Sequence, residues 1–146
     1  MVDYVFVYGT LKDHPLMFSI GCEKLGIAET EDKFILVVEK ETRIPFIIPE
    51  EKLPSALKSF AVKVRGILYK LPEDAEKRRH ALEMIDRYEK APSMYVRKVI
   101  KVKLLIDNSE YEAYVYVPSE KILDSIISCL RNGYVFEMDE DGWYDG

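Results

Sequence analysis

The sequence predicts an α+β fold in which strands dominate and helices are inserted at two places. Several segments are rich in β-branched and aromatic residues, one of them alternates apolar with basic side chains, and two others carry apolar residues at helical spacing. The chain has 146 residues, of which 48% are hydrophobic and 32% charged. We therefore expect a single domain spanning residues 1–146, with a hydrophobic core of its own.

The N-terminal segments predict strands separated by a glycine corner and a short helix. Residues 2–8 (VDYVFVY) are typical of a buried strand, and Gly9 directly after them indicates a tight turn. Residues 15–24 favour a short helix with its proline in the first turn. Residues 34–38 (FILVV) predict a second strand.

The next segments combine apolar character with structure-breaking residues. Residues 43–49 (RIPFIIP) contain two prolines, which suits a sheet edge or an extended crossing segment better than a central strand. Residues 52–57 predict a short helix or turn. Residues 59–71 alternate Phe60 and two valines with basic side chains, as a half-buried strand does, and Gly66 is a candidate for a bend.

Residues 72–88 carry the clearest helix pattern. A proline at the first turn, two acidic residues after it and apolar residues at helical spacing all favour this interpretation. Pro92 then directs the chain out of the helix.

Two strands and a further helix complete the prediction. Residues 95–106 and 111–117 should form an antiparallel pair, because turn-forming residues join them. Residues 119–130 begin with a serine N-cap candidate, show four apolar residues on one face and end at Asn132-Gly133. The tail from residue 134 is acidic, and the pattern assigns it no element.

Composition and charge exclude several classes of protein. The net charge of −5 disfavours a strongly basic nucleic-acid binder, and no apolar run approaches the roughly 18 residues that span a bilayer. Asp3 lies where a signal peptide would be basic. We expect a cytoplasmic protein with neither a nucleic-acid nor a membrane partner. The absence of glutamine and the presence of only two asparagines resemble the composition of heat-adapted proteins.

Cysteines and histidines are few and isolated. Cys22 and Cys129 lie far apart without a CxxC pattern, and His14 and His80 have no ligand-forming neighbours in sequence. We expect no metal site, and buried free thiols rather than a disulfide, although the two cysteines could meet in space. His80 is expected on an exposed helix face, whereas His14 could approach a ligand.

The corner Tyr8-Gly9-Thr10-Leu11 is the first candidate site. A glycine after a buried strand permits backbone conformations that point successive N–H groups at a carboxylate or phosphate. An ordinary β-turn explains the same residues, so both interpretations stay open at this point.

Glu89, at the end of the clearest helix, is the second candidate. It follows Leu82 and Ile85 at i, i+3 and i+7, which places its carboxylate on an apolar stripe. Burial there would raise its pKa toward the range of a general base or acid. A frayed helix end with Glu89 in solvent is the alternative.

Neighbouring residues give weaker indications. Tyr95 and Arg97 should project from one face of a strand, where they either line a pocket or form a surface ladder. Asp86 and Arg87 are expected on the solvated helix side or in a local ion pair.

Six segments, in this order, resemble the γ-glutamylcyclotransferase-like family, which includes the γ-glutamylamine cyclotransferases. They are VFVYGTLK, IPFIIP, VRGILYKL, IDRYEKAPSMYVRKVIKV, AYVYV and a terminal DGW. The resemblance covers nearly the whole chain, and its most specific parts are the Tyr-Gly-Thr-Leu corner and the D-x-Y-E…Y-x-R run.

This resemblance implies a small mixed β-barrel flanked by helices, with no metal or organic cofactor. It implies conversion of a small γ-glutamyl amine or γ-glutamyl amino acid to 5-oxoproline and the free amine. The matching residues imply that the backbone N–H groups of Tyr8, Gly9, Thr10 and Leu11 bind the substrate's α-carboxylate and that Glu89 acts as general base and acid. Tyr95 would bound the pocket.

Two departures from the family pattern matter. Lys90 stands where relatives commonly have glycine, which costs roughly 1 kcal/mol if the position is left-handed. Its ammonium would also lower the Glu89 pKa unless it points away. Residues 13–15 lack the glycine-rich character of relatives. A non-catalytic module for a carboxylate-bearing ligand, or an interaction domain with a vestigial pocket, are the alternatives. The prolines in 43–49 oppose edge pairing, so a monomer is the default expectation.

Overall fold

The computed structural model describes residues 2–132 and 136–145. Within these ranges the chain forms seven strands and three α-helices, with short 3-10 helices between them. In chain order the strands and α-helices are β1 (Tyr4–Val7), α1 (Pro15–Ser19), β2 (Glu23–Glu39), β3 (Pro45–Pro49), β4 (Val62–Lys70), α2 (Ala75–Tyr88), β5 (Tyr95–Leu104), β6 (Glu110–Pro118), α3 (Glu120–Asn132) and β7 (Phe136–Asp139). The 3-10 helices cover Thr10–Asp13, Glu50–Lys52 and Ser55–Phe60.

Five strands close into a mixed barrel in the order β2-β4-β1-β6-β5. The ring closes because β5 pairs with β6 on one side and with β2 on the other. The β1–β6 pair is parallel, and the remaining pairs of the ring are antiparallel. Beyond the barrel, the C-terminal part of β2 pairs with β3 and β7. The predicted α+β class with a small mixed β-barrel is confirmed.

The barrel strands bury side chains on both faces. Along β1, Val5 and Val7 join a buried cluster that includes Ile85 of α2 and Ile126 of α3. Phe6, between them, belongs to a second cluster made almost entirely of strand residues. Because side chains alternate along a strand, the helices cover the outer face of the sheet while the second cluster fills the barrel.

Gly66 of β4 lies where two strands approach closely. A Cβ atom at this position would lie 2.4 Å from the carbonyl oxygen of Val7. The residue keeps its register opposite Ala28, and the register shifts lie in β2 instead, between Lys24 and Gly26 and between Glu29 and Lys33. Glycine is therefore required here by space.

The clearest predicted helix is confirmed as α2, which begins three residues later than the sequence suggested. Asp74 is its N-cap and accepts a hydrogen bond from the Lys77 N–H at 3.0 Å. An N-cap takes a non-helical backbone, so the residues before Asp74 lie outside the helix. Ala81 and Ile85 are buried under the helix.

The predicted C-terminal elements are also present. Strands β5 and β6 pair antiparallel, and Ser119 precedes α3 with its Oγ accepting from the Ile122 N–H at 3.4 Å. The predicted helix end at Gly133 lies outside the described residues. Cys22 is a buried free thiol as expected, whereas the free thiol of Cys129 is only half-buried.

Three local predictions were incomplete or wrong. Strand β2 runs over Glu23–Glu39 rather than 34–38, and the acidic tail contributes β7. Phe60 was expected inside an alternating strand but lies in a 3-10 helix with 40% of its surface exposed. The sheet edge predicted for 43–49 is confirmed by β3, which pairs only with β2 among the described strands. No helix in the described part of the chain combines the length and the apolar character that crossing a membrane requires.

Candidate active site

The corner after β1 places three backbone N–H donors in succession. Strand β1 ends at Val7, and a 3-10 helix begins at Thr10 without a side-chain N-cap. Among residues 2–132 and 136–145, no group accepts a hydrogen bond from the N–H of Gly9, Thr10 or Leu11. Successive backbone donors that converge can bind an anion.

Close packing explains the glycine in this corner. A Cβ atom at Gly9 would lie 3.0 Å from the Cγ atom of Pro45, the first residue of β3. Gly9 and Thr10 line a cavity of about 320 Å³, as does Tyr8. Leu11 instead lies in the core, with 1% of its surface exposed, and it is not among the described residues that line the cavity.

Glu89 also lines this cavity, as the C-cap of α2. Its N–H still donates to the Ile85 carbonyl at 2.9 Å, which keeps the residue in register with the buried helix face. The side chain is half-buried and lines the cavity together with Gly9 and Thr10. The fold thus brings together two candidates that are about eighty residues apart in sequence.

Burial raises the pKa of Glu89 to about 7. No hydrogen bond or ion pair to its carboxylate is present among the described residues, although three tyrosines are close. Burial raises the pKa of Tyr8, Tyr95 and Tyr116, and the nearby Glu89 charge adds to each increase. A buried carboxylate without donors favours its protonated form, which explains the direction of the shift.

The three phenols donate away from Glu89. Tyr8 donates to the Tyr116 carbonyl at 2.8 Å, and Tyr95 donates to the Pro45 carbonyl at 2.6 Å. Tyr116 donates to Oδ1 of Asp86 at 2.5 Å. Hydrogen-bond donors to a carboxylate would lower its pKa. Because the three phenols donate to other acceptors, the Glu89 pKa stays near neutral pH.

Lys90 adopts the left-handed conformation considered from sequence, with a φ of 55°. Its side chain is exposed, and burial is what shifts the pKa of the adjacent Glu89. The ammonium does not depress the Glu89 pKa, which is the outcome that the sequence allowed for a lysine pointing away from the carboxylate. The lysine lies on the solvent side of the helix end, where water screens its charge.

Several further cavity residues were not singled out by the sequence. Among them are Arg43, Tyr88, Tyr116 and Tyr144. Tyr88 shares a 2.7 Å hydrogen bond with Thr10, and Tyr144 donates to the Arg43 carbonyl at 2.5 Å. Tyr88 lies in the D-x-Y-E run, and Tyr144 directly follows the DGW motif. These two motifs could have indicated both tyrosines.

Lys12 contacts the C-terminal tail beside the corner. Its ammonium donates to the Tyr144 carbonyl and lies 4.1 Å from the centroid of the Trp143 ring. Burial lowers its pKa, and only 8% of the residue is exposed. The predicted corner thus continues into a contact that positions Tyr144 in the cavity wall.

Asp86 makes a long-range ion pair rather than the solvated or local contact expected. Its Oδ2 lies 3.5 Å from Arg97 on β5, and its Oδ1 accepts from Tyr116. Arg97 lies over the Tyr114 ring, outside the cavity that Tyr95 lines. Helix α2 packs against the β5–β6 face, which sequence spacing along one helix does not reveal.

His14 is used in the structure as a helix cap. Its Nδ1 accepts from the Leu16 N–H at 3.1 Å, and its ring contacts Tyr88 at 5.2 Å between centroids. It is not among the described residues that line the cavity. His80 is exposed, as expected.

Comparison with known proteins identifies the family. The family model described as "Gamma-glutamyl cyclotransferase, AIG2-like" matches residues 5–136. The chain belongs to this family. The AIG2-like assignment agrees with the resemblance carried by the corner and by the D-x-Y-E run.

Three curated relatives come from Danio rerio. Gamma-glutamylaminecyclotransferase A is 29% identical over 123 residues, covering 79% of this chain and 68% of that protein. Gamma-glutamylaminecyclotransferase C is 32% identical over 124 residues, covering 77% and 73%. The match to the B protein, at 30% identity, covers 80% of this chain but only 59% of that protein.

Solved structures agree with the fold. An AIG2-like protein from Mus musculus superimposes with a TM-score of 0.61 at 28% identity, covering 79% of this chain and 76% of that chain. An uncharacterised protein from Pyrococcus horikoshii covers 99% of this chain and 91% of its own, with a TM-score of 0.55 at 17% identity. The second likeness concerns the fold alone.

Proposed function

We propose that this protein is a γ-glutamylcyclotransferase that converts a γ-glutamyl amine or γ-glutamyl amino acid to 5-oxoproline and the free amine. The observation that carries the proposal is that Glu89 lines the same cavity as Gly9 and Thr10, and that among the described residues neither its carboxylate nor their N–H groups have a hydrogen-bond partner. Relatives 29–32% identical are named gamma-glutamylaminecyclotransferases, which supports the same reaction here.

The corner would hold the α-carboxylate of the γ-glutamyl group. Backbone donors can bind an anion without a cationic side chain, so the negative charge of Glu89 is not neutralised by the clamp. A substrate fixed at this end can fold until its α-amine meets its γ-carbonyl carbon. Positioning of this kind supplies a large part of the acceleration in an intramolecular reaction.

Glu89 would move the protons of the ring closure. The new bond joins the α-nitrogen to the γ-carbon, and the bond from that carbon to the leaving nitrogen breaks. The α-ammonium loses two protons and the departing amine gains two, so Glu89 returns to its starting state. A pKa of about 7 suits a group that both accepts and donates near neutral pH.

Tyr8 and Tyr95 would bound the cavity rather than exchange protons. Both hydroxyls are committed to main-chain carbonyls, and burial raises the pKa of each phenol well above its ordinary value. Their rings therefore shape the site and exclude water from Glu89.

The decisive experiment incubates the purified protein with a panel of γ-glutamyl amines and γ-glutamyl amino acids and detects 5-oxoproline. Glu89→Gln should lower kcat by on the order of 100-fold or more, as loss of a general acid–base does. Glu76→Gln, on an exposed position of the same helix, should retain activity.

Equal turnover by wild type and Glu89→Gln would refute the proton-transfer role. Saturable binding of γ-glutamyl compounds without any 5-oxoproline would favour the non-catalytic module. Neither binding nor turnover would favour the interaction domain with a vestigial pocket.

A further inference from the structure

The hydroxyl of Tyr116 is held by a side chain, whereas three other phenols of the cavity are held by the main chain. The hydroxyls of Tyr8, Tyr95 and Tyr144 donate to main-chain carbonyls. Tyr116 donates to the carboxylate of Asp86 at 2.5 Å. A main-chain acceptor is fixed by the fold, but a side-chain acceptor is lost when one residue changes. The direction in which Tyr116 donates is therefore set by Asp86.

Strands β5 and β6 place two groups where Asp86 of α2 contacts both. Arg97 and Tyr116 lie directly opposite each other in the antiparallel pair, so their side chains project from the same face. Oδ1 of Asp86 accepts from Tyr116, and its Oδ2 lies 3.5 Å from Arg97. The guanidinium of Arg97 lies in turn over the Tyr114 ring, 4.9 Å from its centroid. Both carboxylate oxygens of Asp86 thus have partners that fix its orientation.

Asp86 belongs to a different cavity from Glu89. With Arg97 it lines a space of about 660 Å³ between α2 and the outer face of β5 and β6. Tyr116 lines the cavity that contains Glu89, and Asp86 is not among the described residues that do so. The Tyr116 hydroxyl therefore links the Asp86 carboxylate to the candidate site, and any effect of Asp86 on the reaction is indirect.

The hydrogen bond to Asp86 decides what the Tyr116 hydroxyl can do to Glu89. Burial raises the pKa of Tyr116, so its hydroxyl keeps its proton and stays a donor near neutral pH. The Glu89 charge adds to this increase, which shows that the two groups interact. Without Asp86 the hydroxyl would turn to another acceptor, and the Glu89 carboxylate is an acceptor in the same cavity. A donor to that carboxylate would stabilise its charged form and lower its pKa.

The other ionisable groups around Glu89 have contacts elsewhere. Besides Tyr116, the ionisable residues that line the cavity in the described part of the chain are Tyr8, Arg43, Tyr88, Lys90, Tyr95 and Tyr144. Tyr88 shares its hydrogen bond with Thr10, and Arg43 pairs with Glu137. The Lys90 side chain is exposed. Tyr116 is therefore the buried donor of this cavity whose direction depends on one carboxylate.

We propose that Asp86, held by Arg97, is a positioning residue that directs the Tyr116 hydroxyl away from Glu89 and so leaves that carboxylate free to accept a proton. The inference rests on the proposed function, because it deepens the role of Glu89 in the same reaction. Proton transfer stays with Glu89. Asp86 and Arg97 set the direction of one hydrogen bond and act on the reaction through it.

The test measures the Glu89 pKa in the folded protein without substrate. In protein with carbon-13-labelled glutamate, each side-chain carboxyl resonance moves as its group titrates, and the resonance missing from Glu89→Gln identifies Glu89. We expect a pKa of about 7 in wild type. Asp86→Ala should lower this pKa by about 1, as a new hydrogen bond to a charged group does. Adding Tyr116→Phe to Asp86→Ala should restore the wild-type value, because the freed donor is removed.

Three variants separate the hydrogen bond from the charge of Asp86 and from effects on folding. Asp86→Asn loses the charge but keeps an oxygen that accepts from Tyr116, so the Glu89 pKa should stay as in wild type. Glu83→Ala removes another carboxylate of α2 from the same outer cavity, one that pairs with Arg79, and should also leave the Glu89 pKa unchanged. Asp86→Ser, whose hydroxyl is one bond shorter than the carboxylate, repeats the removal if the alanine variant does not fold.

Turnover gives a second measurement of the same effect. The acid limb of the pH profile of kcat/KM reports the base of the free enzyme. Asp86→Ala should move the midpoint of this limb by about 1 toward low pH, and the added Tyr116→Phe should move it back. A purely structural role of Asp86 would lower kcat/KM without moving the midpoint, and that result would overturn the proposal.

The outcomes separate this inference from the proposed function. An unchanged Glu89 pKa in Asp86→Ala, or a decrease that persists with Tyr116→Phe, would overturn the positioning role, and 5-oxoproline formation by wild type would leave the cyclotransferase proposal standing. An equal decrease in Asp86→Asn would also overturn it, because the charge would then be the cause. A decrease that depends on Tyr116, in a protein that forms no 5-oxoproline, would support the positioning of Tyr116 and overturn the proposed reaction.

Discussion

The raised pKa of Glu89 makes folding stability depend on pH in a way that needs no substrate to measure. The pKa rises from its ordinary value of 4.5 to about 7 in the folded protein because the carboxyl is buried. Between these values the folded state binds more protons than the unfolded state. The free energy of unfolding therefore falls as the pH rises through this window.

The size of the effect follows from the pKa change. Each pH unit is worth about 1.4 kcal/mol, so a rise from 4.5 to about 7 corresponds to a loss of about 3 kcal/mol above pH 7. This figure is an upper bound, because the half-buried side chain keeps some contact with water. Below pH 4.5 the carboxyl is protonated in both states and the penalty disappears.

Urea unfolding of wild type and Glu89→Gln between pH 4.5 and 8 measures this penalty. Glutamine cannot ionise, so the difference between the two proteins isolates the contribution of Glu89 from every other titrating group. We expect Glu89→Gln to gain up to about 3 kcal/mol relative to wild type across the window. The free energy of unfolding of Glu76→Gln should change with pH in the same way as that of wild type.

Parallel curves for wild type and Glu89→Gln would refute the reasoning. They would mean that the Glu89 carboxylate is solvated or finds donors in solution. A difference that grows toward low pH instead would indicate that the folded protein stabilises the charged form.

Two further predictions concern the residues around Glu89. Lys90→Gly should be more stable than Lys90→Ala by about 1 kcal/mol in urea unfolding at pH 5. Both variants remove the charge, and only glycine relieves the left-handed strain. Equal stabilities of the two variants would contradict the strain. Tyr95→Phe should cost about 1 to 3 kcal/mol, because the buried Pro45 carbonyl loses its donor, while the ring that bounds the cavity remains. A matched control is Tyr111→Phe, in a half-buried residue whose hydroxyl makes no hydrogen bond among the described residues. An equal loss there would refute the role of the Pro45 contact.

Elements whose stability comes from local patterns could be predicted from the sequence. Helix α2 combines an N-cap, an acidic first turn and an apolar stripe, and the β5–β6 hairpin has a short turn of suitable residues. Strand β2 could not be bounded in this way, since its first half is charged. It forms because β4 and β5 pair with it, and both lie far away along the chain.

The same distinction applies to the candidate site. The stripe from Leu82 to Glu89 indicated a carboxylate on a buried helix face, and the glycine corner indicated free backbone donors. No local pattern showed that the two features line one cavity, because they come together only when the barrel closes. The tail residue Tyr144 also reaches the cavity only through its contacts with Lys12 and Arg43.

The sequence by itself determined the class of fold, most helices and strands, and the two residue groups that form the candidate site. These follow from spacing and residue type, which act over a few residues. The tertiary structure decided where the phenols of Tyr8, Tyr95 and Tyr116 donate, and therefore that no group in the described part of the chain donates to Glu89. A pKa depends on every group around a carboxyl, and only the folded barrel brings those groups together.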